Sequence, residues 1–326
     1  MNTDTKPLRP RIVFLDRETL PAQTRLRAPS FEHEWITFER TAPREVAERI
    51  AAADIVITNK VPVRQAAIGG ASGLRLIAVA ATGTDIVDIA ACTQRGIVVS
   101  NIRNYAINTV PEHTFGLMLA LRRSILAYHE SVRRGRWGEA SQFCYFDYPI
   151  RDLAGATLGI IGDGVLGRAV GDIGRAFGMK ILFSTYKGTT GMGPLYTPFE
   201  EVLEVSDVIT LHAPLMPSTR NLIARPEFSM MRRQPLLINT ARGGLVDEEA
   251  LCEALDKGQI AGAAFDVLTR EPPAPDHPFM RLLDRPNFIL TPHVAWASEE
   301  AIQGLADQLI DNIEAFWAGK PSNVVQ

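Results

Sequence analysis

Three residues suited to acid–base and anion-binding chemistry each follow a short apolar run that predicts a β-strand. They are Arg242, Glu271 and His293. Ligands of open α/β sheets bind beyond the carboxyl ends of the strands. We therefore expect these three side chains to share one site.

The chemistry that this set could perform is the reduction of a carbonyl group by hydride. A guanidinium such as that of Arg242 forks onto a carboxylate through two parallel hydrogen bonds and polarises a neighbouring carbonyl. The His293 imidazole can give a proton to the developing alkoxide, and a hydrogen-bonded carboxylate such as Glu271 favours the protonated ring. Each residue alone has an ordinary structural interpretation, so the prediction of a site for a small 2-oxo acid rests on their conjunction.

A glycine-rich turn predicts where a nicotinamide dinucleotide binds. Gly162-Asp-Gly-Val-Leu-Gly167 follows an apolar run and opens a helical pattern. There the first glycine permits a tight turn, the second lets the backbone approach a pyrophosphate, and the third lets helix and strand pack closely. Asp163 is interpreted as pointing to solvent or capping local backbone amides. The predicted cofactor contacts are Gly162, Gly164, Val165, Leu166 and Gly167.

The end of the next predicted strand bears on the choice between NAD and NADP. Folds that bind NAD usually place an acidic residue there to hold the ribose hydroxyls. Here the strand runs into hydroxyl, phenol and ammonium side chains, which suit a 2′-phosphate that a carboxylate would repel. We expect NADP(H) to be accepted and preferred, with NAD(H) as the alternative, through contacts with Ser184, Thr185, Tyr186 and Lys187.

Short apolar runs alternate with helical patterns along most of the chain, which predicts parallel sheets covered on both faces. Strands are predicted at 11–16, 54–58, 74–79, 96–100, 157–161, 180–183, 207–211, 235–239, 262–266 and 287–291. The last six in a row predict a complete doubly wound dinucleotide domain. Helices are predicted at 44–52, 86–94, 109–134 and 299–317.

Composition narrows the class of protein. The chain has 34 Lys and Arg against 37 Asp and Glu, a balance that argues against nucleic acid or a membrane surface as the main partner. No apolar run approaches the roughly 20 residues needed to span a bilayer, and the N-terminus has no apolar signal core. The cysteines are few and widely separated, which indicates neither a metal site nor disulfides. We expect a cytoplasmic protein without a bound metal.

The motifs resemble those of the D-isomer-specific 2-hydroxyacid dehydrogenase family. The segments that carry the resemblance are 239–248, 271–273 and 291–298, with the glycine-rich turn. Segments 58–62 and 142–149 are most similar to the bacterial glycerate dehydrogenase, or hydroxypyruvate reductase, branch. The resemblance runs from about residue 11 to the C-terminus. It implies an enzyme that reduces hydroxypyruvate or glyoxylate with NAD(P)H, or in reverse oxidises D-glycerate or glycolate.

The resemblance also implies roles for individual residues. His293 would be the proton donor, Glu271 its partner, and Arg242 the residue that binds the substrate carboxylate and carbonyl. The implied substrate contacts are Lys60, Val61, Ala81, Thr82 and Gly83. The further implied cofactor contacts are Thr109, His212, Ala213, Pro214, Thr219, Thr240, Ala241, Asp266 and His293.

The family's architecture implies two doubly wound parallel-sheet domains and a homodimer. Residues 1–106 and 297–326 would form a flavodoxin-like substrate domain, and residues 107–296 a Rossmann cofactor domain. The long helix and the loop after it, with Trp137, would form the dimer interface. The sequence departs from the family where Thr185 replaces a common Asp and where Asp163 replaces an apolar or aromatic residue. Another dehydrogenase of the family, of phosphoglycerate or formate type, and a non-catalytic nicotinamide-sensing regulator remain alternatives.

Overall fold

A computed structural model describes residues 9–189 and 191–325. The chain divides into two compact units, with boundaries after Tyr105 and after Trp296, and the C-terminal segment belongs to the first unit. In the described ranges, no helix is both long and apolar enough to cross a membrane. Cys92, Cys144 and Cys252 are free thiols.

Twelve strands and ten α-helices are described, besides four short 3-10 helices. The strands are β1 (Arg11–Phe14), β2 (Glu34–Thr37), β3 (Ile55–Thr58), β4 (Leu76–Val79), β5 (Val98–Ser100), β6 (Thr157–Ile161), β7 (Lys180–Ser184), β8 (Tyr196–Thr197), β9 (Val208–Leu211), β10 (Leu236–Asn239), β11 (Gly262–Phe265) and β12 (Phe288–Leu290). The helices are α1 (Val46–Ile50), α2 (Gln65–Gly70), α3 (Ile89–Gln94), α4 (Thr109–Arg122), α5 (Ile125–Arg133), α6 (Val165–Ala176), α7 (Phe199–Val205), α8 (Arg225–Met230), α9 (Glu248–Asp256) and α10 (Glu299–Trp317).

The first unit is a five-stranded parallel sheet in the order β2-β1-β3-β4-β5. This is the flavodoxin-like order. The central strands β3 and β4 are buried along their whole length, as expected for a sheet covered on both faces. Helix α10 packs against β4, and the Ser298 hydroxyl caps its first turn by accepting from the Ala301 amide.

The second unit is a seven-stranded parallel sheet in the order β12-β11-β10-β9-β6-β7-β8. Counted from β6, the strands follow the doubly wound order of dinucleotide-binding domains, with one strand added beyond β11. The two sheets confirm the predicted fold class. Apolar side chains form two core clusters around this sheet, one with Phe199, Phe228, Phe265 and Phe279 and the other with Phe115, Met118, Leu158 and Ile238.

The predicted single helix over 109–134 is wrong, because the structure breaks it into α4 and α5. Ser124 between them has a left-handed φ of 50°, which interrupts an α-helix. Its hydroxyl donates to the Pro149 carbonyl at 2.6 Å. The apolar spacing continues through both helices, so periodicity alone does not reveal the break.

Two edge strands, β2 and β8, were not predicted from the sequence. Strand β2 is only partly buried, and β8 has two residues. Neither forms the continuous apolar run that marks a strand buried on both faces.

Candidate active site

The first pair of predicted catalytic residues meets in the second unit. His293 Nδ1 lies 2.6 Å from Glu271 Oε2, and Glu271 Oε1 accepts from the Leu268 amide at 2.8 Å. Both side chains are partly exposed, at 26% and 34%. Because a carboxylate can only accept at this contact, Nδ1 carries a proton and donates it to Glu271. The Nε2 atom of His293 is therefore the one that can exchange a proton with a ligand.

The backbone around His293 is fixed by a buried carboxylate. Asp266, only 1% exposed, accepts from the Val294 amide at 2.9 Å and the Ala295 amide at 2.8 Å. It also accepts from the Thr291 hydroxyl at 2.5 Å. His293 itself has a left-handed φ of 55°, which costs a non-glycine residue free energy unless the surroundings hold it. Asp266 thus orients the turn that presents the imidazole.

Arg242 follows β10, the strand next to β11, and β11 in turn lies beside β12. The buried Asn239 side chain donates to the Arg242 carbonyl at 2.8 Å and accepts from the Ala241 amide at 3.0 Å. A Cβ at Gly243 would overlap the Leu268 carbonyl group, so only glycine lets the Arg242 loop pack against the segment that leads to Glu271. The structure therefore brings the ends of three adjacent strands together as the sequence predicted.

The glycine-rich turn fits a bound pyrophosphate. Gly162 has a φ of 106°, and a Cβ there would lie 2.6 Å from the His212 carbonyl carbon. A Cβ at Gly167 would overlap the Gly162 carbonyl oxygen. No side chain caps the first turn of α6, which begins at Val165. The amides of this twelve-residue helix therefore face the turn, in the arrangement that binds phosphate groups.

Three of the four polar side chains at the end of β7 have protein partners: Ser184, Thr185 and Lys187. The Thr185 hydroxyl, 7% exposed, accepts from the Phe199 amide at 3.1 Å, and the Ser184 hydroxyl donates to the Thr185 carbonyl at 2.7 Å. Lys187 Nζ lies 2.7 Å from Glu227 Oε1. The Tyr186 ring is exposed at 64%, and the Lys187 side chain at 44%. A phosphate that binds Lys187 would compete with the buried Glu227 carboxylate for the ammonium.

The interpretation of Asp163 as a solvent-facing or amide-capping residue is incomplete, because its carboxylate, 26% exposed, also has two side-chain partners. Its Oδ2 accepts from the Tyr196 hydroxyl at 2.5 Å, and Arg168 Nη2 lies 3.4 Å from the same oxygen. The Tyr196 hydroxyl, followed by Arg168, lowers the pKa of the Asp163 carboxyl. Tyr196 is 33 positions away along the chain, so the local sequence does not reveal this contact.

Other predicted cofactor residues line the carboxyl edge of the same sheet. His212, Ala213 and Pro214 follow β9, and the Thr219 hydroxyl donates to the Pro214 carbonyl at 2.7 Å. At the start of α4, the Thr109 hydroxyl donates to the Ala295 carbonyl at 3.1 Å. Ala241 and Thr240 follow β10, and Thr240 Oγ1 lies 3.0 Å from Thr114 Oγ1.

His212 makes the stability of the protein depend on pH. Burial lowers its pKa from 6.5 to about 4, so the unfolded chain binds more protons than the folded protein between these values. The stability that neutral His212 contributes is fully present above pH 6.5 and is lost as the pH falls towards 4. From pH 7 to pH 5 this loss amounts to about 2 kcal/mol of the free energy of unfolding.

We therefore expect the melting temperature to fall less between pH 7 and pH 5 in His212→Asn than in the unmodified protein. Thermal unfolding at the two pH values measures the difference. His129→Asn removes an exposed imidazole on α5 and serves as the control. Equal pH dependence in His212→Asn and the unmodified protein would contradict the assignment.

In the first unit, the predicted substrate residues follow the adjacent strands β3 and β4. Lys60 and Val61 come after β3, while Ala81, Thr82 and Gly83 come after β4. The Thr82 hydroxyl donates to the Ile102 carbonyl at 2.7 Å, which leaves backbone amides as the groups this turn can offer to an anion. The two loops lie at the same edge of one sheet.

Asp16 is a residue of this loop system that was not predicted from the sequence. Its carboxylate, 3% exposed, accepts from the amides of Asn59, Lys60 and Val61, at 2.6 Å for Lys60. Burial raises its pKa, while the three amides oppose the shift. An aspartate at the end of a predicted strand was the available signal, but its targets lie more than 40 residues away.

Comparison with known proteins gives a consistent family. The model of the NAD-binding domain of D-isomer specific 2-hydroxyacid dehydrogenases matches residues 115–295. A glycerate dehydrogenase of Methylorubrum extorquens is 55% identical, over 97% of this chain and 99% of that protein. A hydroxypyruvate reductase of Blautia hydrogenotrophica is 36% identical, over 90% and 92%.

Among solved structures, one similar chain is an NADPH-dependent glyoxylate/hydroxypyruvate reductase of Sinorhizobium meliloti in complex with NADP and malonate. It superposes with a TM-score of 0.83 at 29% identity and covers 97% of each chain. These matches confirm the resemblance that the motifs indicated. The chain belongs to the D-isomer specific 2-hydroxyacid dehydrogenases, the NAD(P)-dependent oxidoreductases of 2-hydroxy acids.

Proposed function

We propose that this enzyme reduces hydroxypyruvate or glyoxylate with NAD(P)H, and in reverse oxidises D-glycerate or glycolate. The observation that carries the proposal is the 2.6 Å contact between His293 Nδ1 and Glu271 Oε2. His293 follows β12, and Arg242 follows β10, two strands away in the same sheet. The glycerate dehydrogenase at 55% identity supports the choice of a small 2-oxo acid.

The proposed catalytic roles follow from the chemistry of each side chain and from the contact between His293 and Glu271. Arg242 binds the substrate carboxylate and polarises the adjacent carbonyl, because its fork donates to two oxygens at once. When bound, the nicotinamide supplies the hydride that adds to the carbonyl carbon. His293 gives its Nε2 proton to the carbonyl oxygen, and the ring that remains is neutral. Glu271 stabilises the protonated ring beforehand and keeps Nε2 directed at the substrate.

We assign substrate contacts in the first unit to the ends of β3 and β4. Lys60 and Val61 border the substrate, while the amides of Ala81, Thr82 and Gly83 bind its carboxylate. Residues 1–106 with 297–326 accordingly form the substrate domain, and residues 107–296 the cofactor domain. The second unit holds the dinucleotide through the turn from Gly162 to Gly167 and the other strand-end residues described above.

For the cofactor, we propose that NADPH is accepted alongside NADH. No acidic residue ends β7, so the usual carboxylate that repels a 2′-phosphate is missing there. The NADPH-dependent reductase of similar structure supports this choice. The ion pair between Lys187 and Glu227 speaks against a phosphate site already prepared at that position.

A substrate panel tests the proposed function. Oxidation of NADH and of NADPH is followed with hydroxypyruvate, glyoxylate, pyruvate and a phosphorylated 2-oxo acid, and formate is tested in the opposite direction. We expect hydroxypyruvate and glyoxylate to give the highest kcat/KM. A preference for the phosphorylated acid or for formate would contradict the proposal. No turnover with any of these substrates, together with intact cofactor binding, would indicate a nicotinamide-sensing protein.

We further propose that the enzyme is a homodimer, formed through the segment after α5. Apolar side chains there are exposed, with Trp137 at 52%, Phe143 at 86% and Phe146 at 81%. Exposed apolar patches of this kind mark protein interfaces, and the residues lie where the family resemblance places the dimer contact. A second copy of the chain is the proposed occupant.

Light scattering after size exclusion tests the dimer. We expect the unmodified chain to have twice the 35.8 kDa mass of one copy and the double variant Phe143→Asp, Phe146→Asp to be monomeric at micromolar concentration. Leu283→Asp, which alters another exposed apolar residue (51%), should leave the mass unchanged. A monomeric unmodified chain would refute the proposal.

A further inference from the structure

Asp163 lies in the glycine-rich turn but is held on the side of the adenine ribose. Strand β7 lies between β6 and β8. Asp163 follows β6 and Tyr196 belongs to β8, so their 2.5 Å hydrogen bond passes over the end of β7. In doubly wound dinucleotide domains, the ribose lies between the glycine-rich turn and the end of this second strand.

The same cluster lies on the face of the sheet that α6 covers. Tyr196 is in register with Phe183, and Phe183 packs against Gly171 of α6. Because paired residues of neighbouring parallel strands point to the same face, the Tyr196 ring also lies on the α6 side. Arg168, in the first turns of α6, donates from Nε to the Asp163 carbonyl at 2.8 Å. The cluster therefore stands beside the helix terminus that fits the pyrophosphate.

We infer that Asp163, positioned by Tyr196, is the ribose-side acid of this enzyme and discriminates between NAD(H) and NADP(H). The inference deepens the proposed use of both cofactors and rests on it. The position that usually carries this acid holds Thr185, whose hydroxyl accepts from the Phe199 amide. Asp163 supplies a carboxylate from the neighbouring strand end instead. It accepts a ribose hydroxyl of NAD(H) and repels the 2′-phosphate of NADP(H).

The charges around the cluster lead us to expect a partial discrimination. Arg168 lies within 3.4 Å of the Asp163 carboxylate and offsets part of its repulsion of a phosphate. Its side chain is 69% exposed, so solvent also screens the field. Lys187 has its own carboxylate partner in Glu227. Because Glu227 is paired with Lys187, we take Asp163 as the carboxylate that faces the ribose from the glycine-rich turn.

The test is Asp163→Asn, which keeps the shape of the side chain and removes its charge. The dissociation constants of NADH and NADPH are measured by nucleotide fluorescence without a 2-oxo acid. We expect the ratio of Kd for NADPH to Kd for NADH to fall by about tenfold, the effect of removing one partly screened charge beside the phosphate. Weaker NADH binding should contribute to this fall, because the ribose hydroxyl loses a charged acceptor.

The matched control is Asp172→Asn, which removes an exposed carboxylate from α6, the helix that follows the glycine-rich turn. Asp172 pairs with Arg175 at 2.6 Å, and its substitution should leave the ratio unchanged. An unchanged or increased ratio in Asp163→Asn overturns the inference, including the case in which both cofactors weaken equally. Because the readout is cofactor binding, the result stands even if hydroxypyruvate and glyoxylate prove not to be substrates.

Discussion

We expect His293→Ala to lower kcat by roughly 10²- to 10⁴-fold, the usual contribution of a positioned general acid. The reason is geometric, because Glu271 occupies Nδ1 and leaves Nε2 to deliver the proton. Without the imidazole, the developing alkoxide must take its proton from water. Cofactor affinity should change little, since the glycine-rich turn lies after a different strand.

Steady-state kinetics with hydroxypyruvate and fluorescence titration with NADH and NADPH measure the two effects. His129→Ala, which removes an exposed imidazole from α5, is the control and should keep full activity. Unchanged turnover in His293→Ala would refute its role as proton donor. A loss confined to cofactor affinity would instead assign His293 to dinucleotide binding alone.

We expect Arg242→Lys to lower kcat/KM for the 2-oxo acid by roughly 10- to 100-fold, the value of one charge-assisted hydrogen bond lost from a bidentate pair. Lysine keeps the charge but offers a point donor in place of a planar fork. Asn239 should hold the loop in shape, because it contacts the backbone of residues 241 and 242. The Arg242 guanidinium adds a bond to the Ala241 carbonyl at 2.7 Å, which the substitution also alters.

The comparison of kcat/KM for the 2-oxo acid with Kd for the cofactor checks this prediction. Arg225→Lys is a matched control, because the Arg225 guanidinium forks onto Glu253 at the surface through Nε and Nη2. That variant should retain kcat/KM. Equal kcat/KM in Arg242→Lys and the unmodified enzyme would exclude bidentate recognition of the substrate carboxylate.

The sequence by itself determined the strands that support the site. Buried parallel strands are continuous apolar runs, and side chains just beyond such runs must lie at the sheet edge. Arg242, Glu271 and His293 could therefore be grouped before the structure was known. Helix α10 was also predicted, from its apolar spacing and from Gly319 and Pro321 just beyond its end, while its Ser298 cap was seen only in the structure.

Only the tertiary structure decided which side chains become partners. Asp163 with Tyr196, Lys187 with Glu227, and Asp16 with the amide of Lys60 are each separated by more than 30 residues. Hydrophobic periodicity reports how far each local segment is buried, and it carries no information on which distant segment covers it. For the same reason the left-handed Ser124, held by the Pro149 carbonyl, could not be predicted within an unbroken helical pattern. The family and the grouping of the three catalytic candidates were thus accessible from local sequence, while the partners of Asp163 and Lys187 were set by long-range packing.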